Sequence, residues 1–436
     1  MMELHVGIDD TDSKRGMCTT YVGAMAIKHL QEEGVELKGF PKLVRLNPMW
    51  PHKTRGNCAV AFTLELPPSR VQRAKERVLE TVRSLADLEM ETTNPGVVFY
   101  SSPKIPEELK KYSKKVVQEV VEMEEAERIA KKIGAELHKF KEGRGIIGAL
   151  AAIGHPLEKD WTYELIAYRS RKYWGKPRKV DPASVFMMDR LTYPHTFDNV
   201  DYETGEIRIT PHTPCPVLYG IRGETPEAVL RAHQLVKTLE PVEFTIIYKT
   251  NQGTDEHLKE SKASEIKPYI SVILEGRVVG NPRTIPGGHV IFTLDDGTGK
   301  VDCAAYEPTR SFREIVRGLR EGDLVRVFGG VRKEPGLPPT INLEKLSILE
   351  LVPIFKKRNP RCPNCGKSLK SEGKGKGYSC KKCGRHFPQA KPEIEEVERG
   401  VKKGTFEVPP RCRRHLAKPL VREIHREYRC GSWGWI

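Results

Sequence analysis

Four cysteines constrain this chain more than any other feature. Cys362-Pro-Asn-Cys365 is followed by fourteen residues and then by Cys380-Lys-Lys-Cys383. Each CxxC pair places two thiolates on one turn, and two such turns close a tetrahedron around zinc. A site with four thiolate ligands leaves no position for water, so it is structural. A module this short has too little core to fold alone, and the metal supplies its folding energy. The intervening loop, GKSLKSEGKGKGYS, is basic and suits a run of phosphates. The other six cysteines (Cys18, Cys58, Cys215, Cys303, Cys412 and Cys430) are scattered, which is not the pattern of a disulfide framework.

The chain has 436 residues, enough for three or four domains at about 100–200 residues each. No segment approaches the ~20 apolar residues of a membrane span. The N-terminus MMELHVGIDD lacks a basic segment followed by an apolar run, so a cytoplasmic protein is expected. The net charge is +15, unevenly spread: from Phe355 onward 22 Lys+Arg face 8 Asp+Glu. Such asymmetry points to a polyanion bound by the C-terminal part, most often nucleic acid.

The pattern of elements predicts an α+β multidomain chain. Residues 1–101 alternate in the order β-α-β-β-α-β, the split-βαβ or ferredoxin-like arrangement. A charged helical run follows, with no strong breaker before Gly134. A second pass of the same order is expected from AELHKF and GIIGALAAIG through VEFTIIY, with an unassigned insertion around 170–205 in which Arg169, Arg171 and Tyr173 suit RNA or substrate. NQGTDEHLKESKASEIKP (251–268) reads as a polar linker. Five short strands with a helix between the third and fourth, over 268–352, predict an OB-fold barrel, and 355–436 would hold the zinc ribbon and a basic tail. An OB barrel beside a ribbon favours single-stranded or looped nucleic acid.

Three further motifs carry chemistry. Asp9, Asp10 and Asp12, in GIDDTDS, crowd carboxylates just after a strand, as a site for Mg²⁺ with phosphates does; an Asx-rich helix cap is the plainer alternative. The following GMCTTY opens a helix with hydroxyls and N–H groups suited to an anion. RLNPMWPHKTRGN brings Arg45, Lys53, Arg55 and Asn57 to one loop, which could clamp a triphosphate. Gly143-Arg144-Gly145-Ile146-Ile147-Gly148 precedes an Ala-rich helix. A dinucleotide site with Glu164 is formally open, but close packing or a phosphate/RNA-backbone loop of Gly143, Arg144 and Gly145 fits the order of elements better. Cys18 could be a nucleophile or a small buried residue. The tail residues Cys412, His415, His425 and Cys430 could hold a second metal, or the tail could form a basic helix on RNA.

Taken in order, GIDDTDSKRGMCTTY, RLNPMWPHKTRGN, TNPGVVF, GRGIIGALAAIG and the closing barrel and ribbon resemble the archaeal tRNA-isoleucine 2-agmatinylcytidine synthetase family, TiaS, over essentially the whole chain. The resemblance implies a kinase-like catalytic domain over 1–130, a ferredoxin-like domain over 131–255, an OB-fold over 268–352 and a ribbon with its tail over 355–436. It implies ATP-dependent joining of agmatine to C2 of the wobble cytidine in the CAU-anticodon isoleucine tRNA, through a phosphorylated cytidine, so that the tRNA reads AUA. ATP, Mg²⁺ and Zn²⁺ would be the cofactors, and no membrane or protein partner is implied. Asp9, Asp10 and Asp12, with Thr11 and Gly16, map to the ATP·Mg site; Thr19 maps to the family's phosphorylatable threonine; Lys53 and Arg55 would face the phosphates. The competing expectation is a non-catalytic OB-fold and ribbon protein with a nucleotide-sensing N-terminal half.

Overall fold

The computed structural model describes residues 1–426, with side chains through Glu423. The first unit runs β1 (Met2–Asp9), α1 (Thr19–Glu32), β2 (Glu36–Leu37), β3 (Lys42–Arg45), β4 (Cys58–Leu66), α2 (Pro68–Leu85) and β5 (Gly96–Ser101). Its main strands lie in the order β5-β1-β4-β3, all neighbours antiparallel, as the split-βαβ pattern requires. Both faces of this sheet are covered. Leu4, Val6 and Ile8 pack under α1 and α2. Val98 and Tyr100 of β5 pack on the opposite side with α3 (Glu107–Gln118), α4 (Met123–Ile133) and α5 (Ile146–Gly154). The charged helical run is therefore two helices, broken at 119–122, and Gly134 ends the second in a left-handed conformation (φ 74°).

The second unit does not begin where the strand pattern put it. β6 (Glu136–Lys139) pairs with β5 at the edge of the first sheet, and α5 packs on that sheet too. The reason is the composition of α5, which is apolar all round and needs burial on every side. The second unit is instead β7 (Thr162–Arg169), α6 (Pro182–Thr192), β8 (Thr196–Phe197), a hairpin of β9 (Val200–Asp201) and β10 (Glu206–Ile207), then β11 (Val217–Gly223), α7 (Pro226–Leu235) and β12 (Val242–Thr250). Its sheet order, β12-β7-β11-β8, repeats that of the first unit. Its first helix lies in the insertion left unassigned, capped by the Asp181 carboxylate accepting from Ala183 N. In that insertion Arg169 is buried and donates to Glu240 at 2.6 Å and to the carbonyls of Lys176 and Pro177, so it holds the fold rather than RNA.

The two units share one sheet. Lys249 and Thr250 of β12 pair in parallel with Lys42 and Leu43 of β3, giving ten strands in all. The stretch after β12 is not a free linker. Asn251, Gln252 and His257 are fully buried; Asn251 bonds the main chain of Arg45 through both ends of its amide (2.8 and 3.0 Å), and His257 meets Glu344 at 2.9 Å. Such partners are what allow polar residues to be buried here. β13 (Leu258–Glu260) then adds to the next sheet.

That sheet is the expected barrel: β14 (Ser271–Ile285), β15 (His289–Asp295), β16 (Lys300–Ala305), α8 (Ser311–Arg317), β17 (Leu324–Arg332) and β18 (Thr340–Glu350). β16 pairs in parallel with β18, and β14 pairs with β17 to close it. From β18 the chain leaves on a two-stranded stalk, β19 (Ile354–Arg358) against β23 (Glu393–Val397). The ribbon at its tip holds β20 (Lys370–Ser371), β21 (Tyr378–Ser379) and β22 (His386–Phe387). The chain returns as β24 (Gly404–Glu407), which pairs with β18.

As far as Glu423, the described part of the basic tail is a strap on the body rather than a free RNA-binding helix. Arg411 pairs with Asp201 and Glu203, Arg413 with Asp198 and Glu407, Arg414 with Glu344, Lys418 with Asp160, and Arg422 with Asp160 and Glu224. Helix α9 (Leu420–Arg426) ends the described chain. Of the suggested second metal site, the His425 side chain and Cys430 lie outside the described residues. No described helix is long and apolar enough to cross a membrane.

Candidate functional site

The three acids gather where β1 ends. Asp9 is its last residue, and Asp10 follows in a left-handed conformation (φ 56°) that turns the chain sharply. Asp9 Oδ1 accepts from Asp10 N at 2.6 Å. Burial, then the neighbouring Asp10 carboxylate, pushes the Asp9 carboxyl well above its ordinary range. Burial raises Asp10 to about 6 even though Arg144 donates to it at 3.2 Å. Two guanidinium groups face three carboxylates here, Arg144 and, 4.0 Å from Asp12, Arg55. This hard, anionic oxygen set suits Mg²⁺.

The other expected residues divide into those that face the acids and those that hold the loop. Thr19 opens α1 and is 1% exposed; its N and Oγ1 both donate to Asp12 Oδ1 (2.8 and 2.5 Å), and it accepts from Thr11 Oγ1 at 3.2 Å. Thr11 is buried and serves this network. Gly16 has φ 146°, and a Cβ there would come within 2.5 Å of Pro214 O. Arg55 donates to the carbonyls of Ser13 and Met17, so it supports the acidic loop from below. The Lys53 ammonium donates to Trp50 O at 3.0 Å and lines the cleft over the acids.

The glycine motif is chiefly a packing device. A Cβ on Gly145 would reach Gly96 N, and one on Gly148 would overlap the Asp9 carboxylate, so these glycines let α5 press against the end of β1. Gly143 turns left-handed (φ 67°) against Lys139. Arg144 is the residue of the motif whose charged side chain pairs with the acids, while Gly145, Ile147 and Gly148 also line the cleft. The surrounding order is not doubly wound, and Glu164 is engaged by Gln252 and Arg45, so nothing remains of a dinucleotide site.

Two cavities meet at the acids. The first, with about 690 Å³ of open space, is lined by Asp9, Asp10, Asp12, Lys53, Trp50 and Arg144. The second, with about 1290 Å³, opens between the two units and the strap, among Arg45, Glu164, Asp198, Arg222, Arg413 and His415. Asp12, Arg55 and Cys58 line both, so the two cavities adjoin across these side chains. Cys18 also faces the second cavity, but burial pushes its thiol up to about 11, the opposite of a nucleophile's shift. Strands β3, β7 and β11 supply Arg45, Glu164 and Arg222; of these only Arg45 belongs to a motif legible in the sequence, and the pairing of β12 with β3 brings it to the other two.

In the ribbon the four sulfurs lie within 4.8 Å of one another, with Cys362–Cys383 at 3.9 Å and Cys365–Cys380 at 3.5 Å. A tetrahedron with Zn–S bonds of about 2.3 Å has edges of about 3.8 Å, so the set fits zinc. The two turns are alike: Gly366 N donates to Cys362 O and Gly384 N to Cys380 O, and each glycine has φ 69°.

Comparison with known proteins places this geometry. A relative from Methanocaldococcus jannaschii, the isoleucine-tRNA 2-agmatinylcytidine synthetase TiaS, is 47% identical over 425 residues, 96% of this chain and 99% of its own. The chain belongs to the TiaS family. A TiaS from Pyrococcus horikoshii is 48% identical over 420 residues, covering 96% and 97%. Three TiaS domain models match, the TCKD domain over 5–66, the FLD domain over 143–257 and the C-terminal zinc ribbon domain over 359–401, and a general OB-fold nucleic acid binding domain matches over 272–349. Among solved structures, apo TiaS is similar with a TM-score of 0.89 at 45% identity, covering 97% of this chain and 98% of that one. The complex of TiaS with its isoleucine tRNA, AMPCPP and agmatine is similar with a TM-score of 0.84 at 44% identity, with the same coverage.

Proposed function

We propose that this chain is an ATP-dependent ligase that joins agmatine to C2 of the wobble cytidine of the CAU-anticodon isoleucine tRNA. The observation that carries the reading is the pair of adjoining cavities that share Asp12, in a chain that matches the TiaS complex with tRNA, AMPCPP and agmatine almost end to end. The first cavity takes the nucleotide. Asp9, Asp10 and Asp12 are the residues that would hold Mg²⁺, which screens the charge of the phosphates during transfer. Lys53 faces those phosphates, and Arg144 balances Asp10.

The second cavity brings cytidine and amine to the same acids. The cytosine O2 is a poor leaving group, and transfer of a phosphoryl group from ATP onto it remedies this. The agmatine nitrogen then attacks C2, a C–N bond forms, the C2–O2 bond breaks, and O2 departs with phosphate. The chain's task is to keep the three reactants in line and water away. Splaying one base from a single-stranded anticodon loop costs only a few kcal/mol. The barrel and the basic ribbon grip the tRNA elsewhere. A non-catalytic binding protein is not favoured, because the similarity runs through the acid-bearing unit as fully as through the barrel and ribbon.

The test is transfer of radiolabelled agmatine into CAU-anticodon tRNA with ATP. Incorporation that needs all three components is expected; none with folded protein overturns the reading. Asp10→Ala should abolish transfer while tRNA binding survives, and retained activity would move the metal site elsewhere.

A further inference from the structure

The loop between β3 and β4 brings Trp50, Lys53 and Arg55 to the first cavity, and a buried residue at its root reaches the other way, to the barrel. Asn47 is 3% exposed. Its Oδ1 accepts from Met49 N at 2.8 Å, and its carbonyl accepts from Asn57 Nδ2 at 2.9 Å and Trp50 N at 3.4 Å. It thereby folds the first turn of the loop and closes the neck. Its Nδ2 donates to Tyr269 O at 2.9 Å, 222 residues further along the chain. Tyr269 stands just ahead of β14 in a left-handed conformation (φ 68°), and its N donates to Val331 O of β17 at 3.1 Å. Such a conformation in a residue with a side chain persists only where its surroundings hold it.

A second contact joins the loop to the barrel. Met49 is buried, and a Cβ on Gly330 of β17 would overlap its sulfur. Arg414, paired with Glu344 of β18 at 3.2 Å, lies on the same sulfur. On its cavity side the loop meets the acids. The Arg144 guanidinium sits 6.0 Å from the Trp50 ring centre and donates to Asp10 at 3.2 Å, while Lys53 donates to Trp50 O. Contacts therefore run from Tyr269 of the barrel through Asn47 and Trp50 to the acid cluster. Nothing in RLNPMWPHKTRGN singles out Asn47, because its deciding partner is so distant in sequence.

We propose that Asn47 is a positioning residue and that the barrel is part of the scaffold of the nucleotide site: the amide fastened to Tyr269 holds Trp50 and Lys53 over the acids, so the unit that bears Asp9, Asp10 and Asp12 does not complete the site alone. The inference rests on the reading of the first cavity given above. Asn47 acts through the loop, and both ends of its amide are used in holding it.

The experiment compares Asn47→Asp, Gly330→Val and Gln118→Ala in the full, zinc-loaded chain, titrated with a non-hydrolysable ATP analogue and Mg²⁺. Asn47→Asp keeps the acceptor for Met49 N and turns an oxygen toward the Tyr269 carbonyl, so it breaks the barrel tie alone. Gly330→Val pushes on Met49 from inside the barrel. Gln118→Ala is the control: its amide ties α3 to Glu256 O at 3.0 Å at the same junction, and it lines neither cavity. Asn47→Asp and Gly330→Val should each weaken analogue binding about tenfold, with tRNA affinity changed less than about threefold. Gln118→Ala should lower the melting temperature and leave analogue binding alone. Wild-type analogue affinity in a folded Asn47→Asp protein overturns the proposal. An equal loss in Gln118→Ala also overturns it, since general loosening of the junction would then suffice. Hydrogen exchange over residues 48–57 without nucleotide gives an independent readout: faster exchange in Asn47→Asp and Gly330→Val is expected, and unchanged protection overturns the positioning. Were Asn47→Asp not to fold, Gly330→Val decides by the same two measurements. Failure of the wild-type chain to bind the analogue would sink the nucleotide reading of the first cavity, and the exchange result would still decide whether the barrel holds the loop.

Discussion

The Thr19 hydroxyl donates to Asp12 at 2.5 Å and lies buried at the start of α1, so the first hydroxyl of the helix is bonded to an acid that borders both cavities. The residue that resembles the family's phosphorylatable threonine is thus, in this conformation, a partner of the acidic cluster. Thr19→Val keeps the shape and removes the bond, leaving Asp12 with the backbone N–H of residue 19 and the Arg55 guanidinium. Labelled-agmatine transfer should fall about 10- to 100-fold, and Thr19→Ser should retain most of it. Wild-type transfer by Thr19→Val would show that the hydroxyl does nothing for the reaction.

Gly148 is where α5 presses on Asp9. Gly148→Ala puts a methyl group into the carboxylate, an overpacking that costs about 1–3 kcal/mol. The melting temperature should fall by a few degrees and affinity for an ATP analogue by about tenfold. A variant that binds nucleotide as well as wild type would place the nucleotide away from Asp9.

Zinc removal should act locally. The ribbon has its own small core, built on Cys362, Leu369 and Cys380, separate from that of the barrel. Chelation, or Cys362→Ser with Cys380→Ser, should leave the main melting transition within about 2 °C and weaken tRNA binding. Unchanged tRNA affinity would detach the ribbon from RNA recognition.

Lys42 gives a pH signature away from the acids. Its ammonium donates to the carbonyls of His155 (2.7 Å) and Ile153 (3.3 Å), and burial, with Lys249 nearby, lowers it to about 8 from an ordinary 10.5. Between those values the unfolded chain binds the proton that the folded chain has released, so stability rises with pH across that window. Denaturant titrations of wild type against Lys42→Met should show the wild type gaining on the variant from about pH 8 to 10.5. A pH-independent difference would mean that Lys42 titrates normally.

Strand alternation made the first unit and the barrel legible, and cysteine spacing the ribbon. It did not say on which sheet α5 would pack, because an all-apolar helix carries no face to read. Asn251 and His257 look like linker residues until their partners, Arg45 and Glu344, are known. The acids were legible because Asp9, Asp10 and Asp12 are neighbours in sequence. Arg45, Glu164, Asp198 and Arg222 are far apart in the chain and become a cavity only when β12 pairs with β3. The charge of the tail was legible, but its use was not, since ion pairing within the body is invisible to composition.

The ribbon departs from β18 and re-enters at β24, strands that are hydrogen-bonded neighbours. Whatever hangs from that point is an appendage whose two attachment ends already touch. Lengthening, exchanging or losing it would leave the barrel shut and the acid floor unmoved. The reach of the ribbon and the geometry of the acid floor are therefore separable features of one chain.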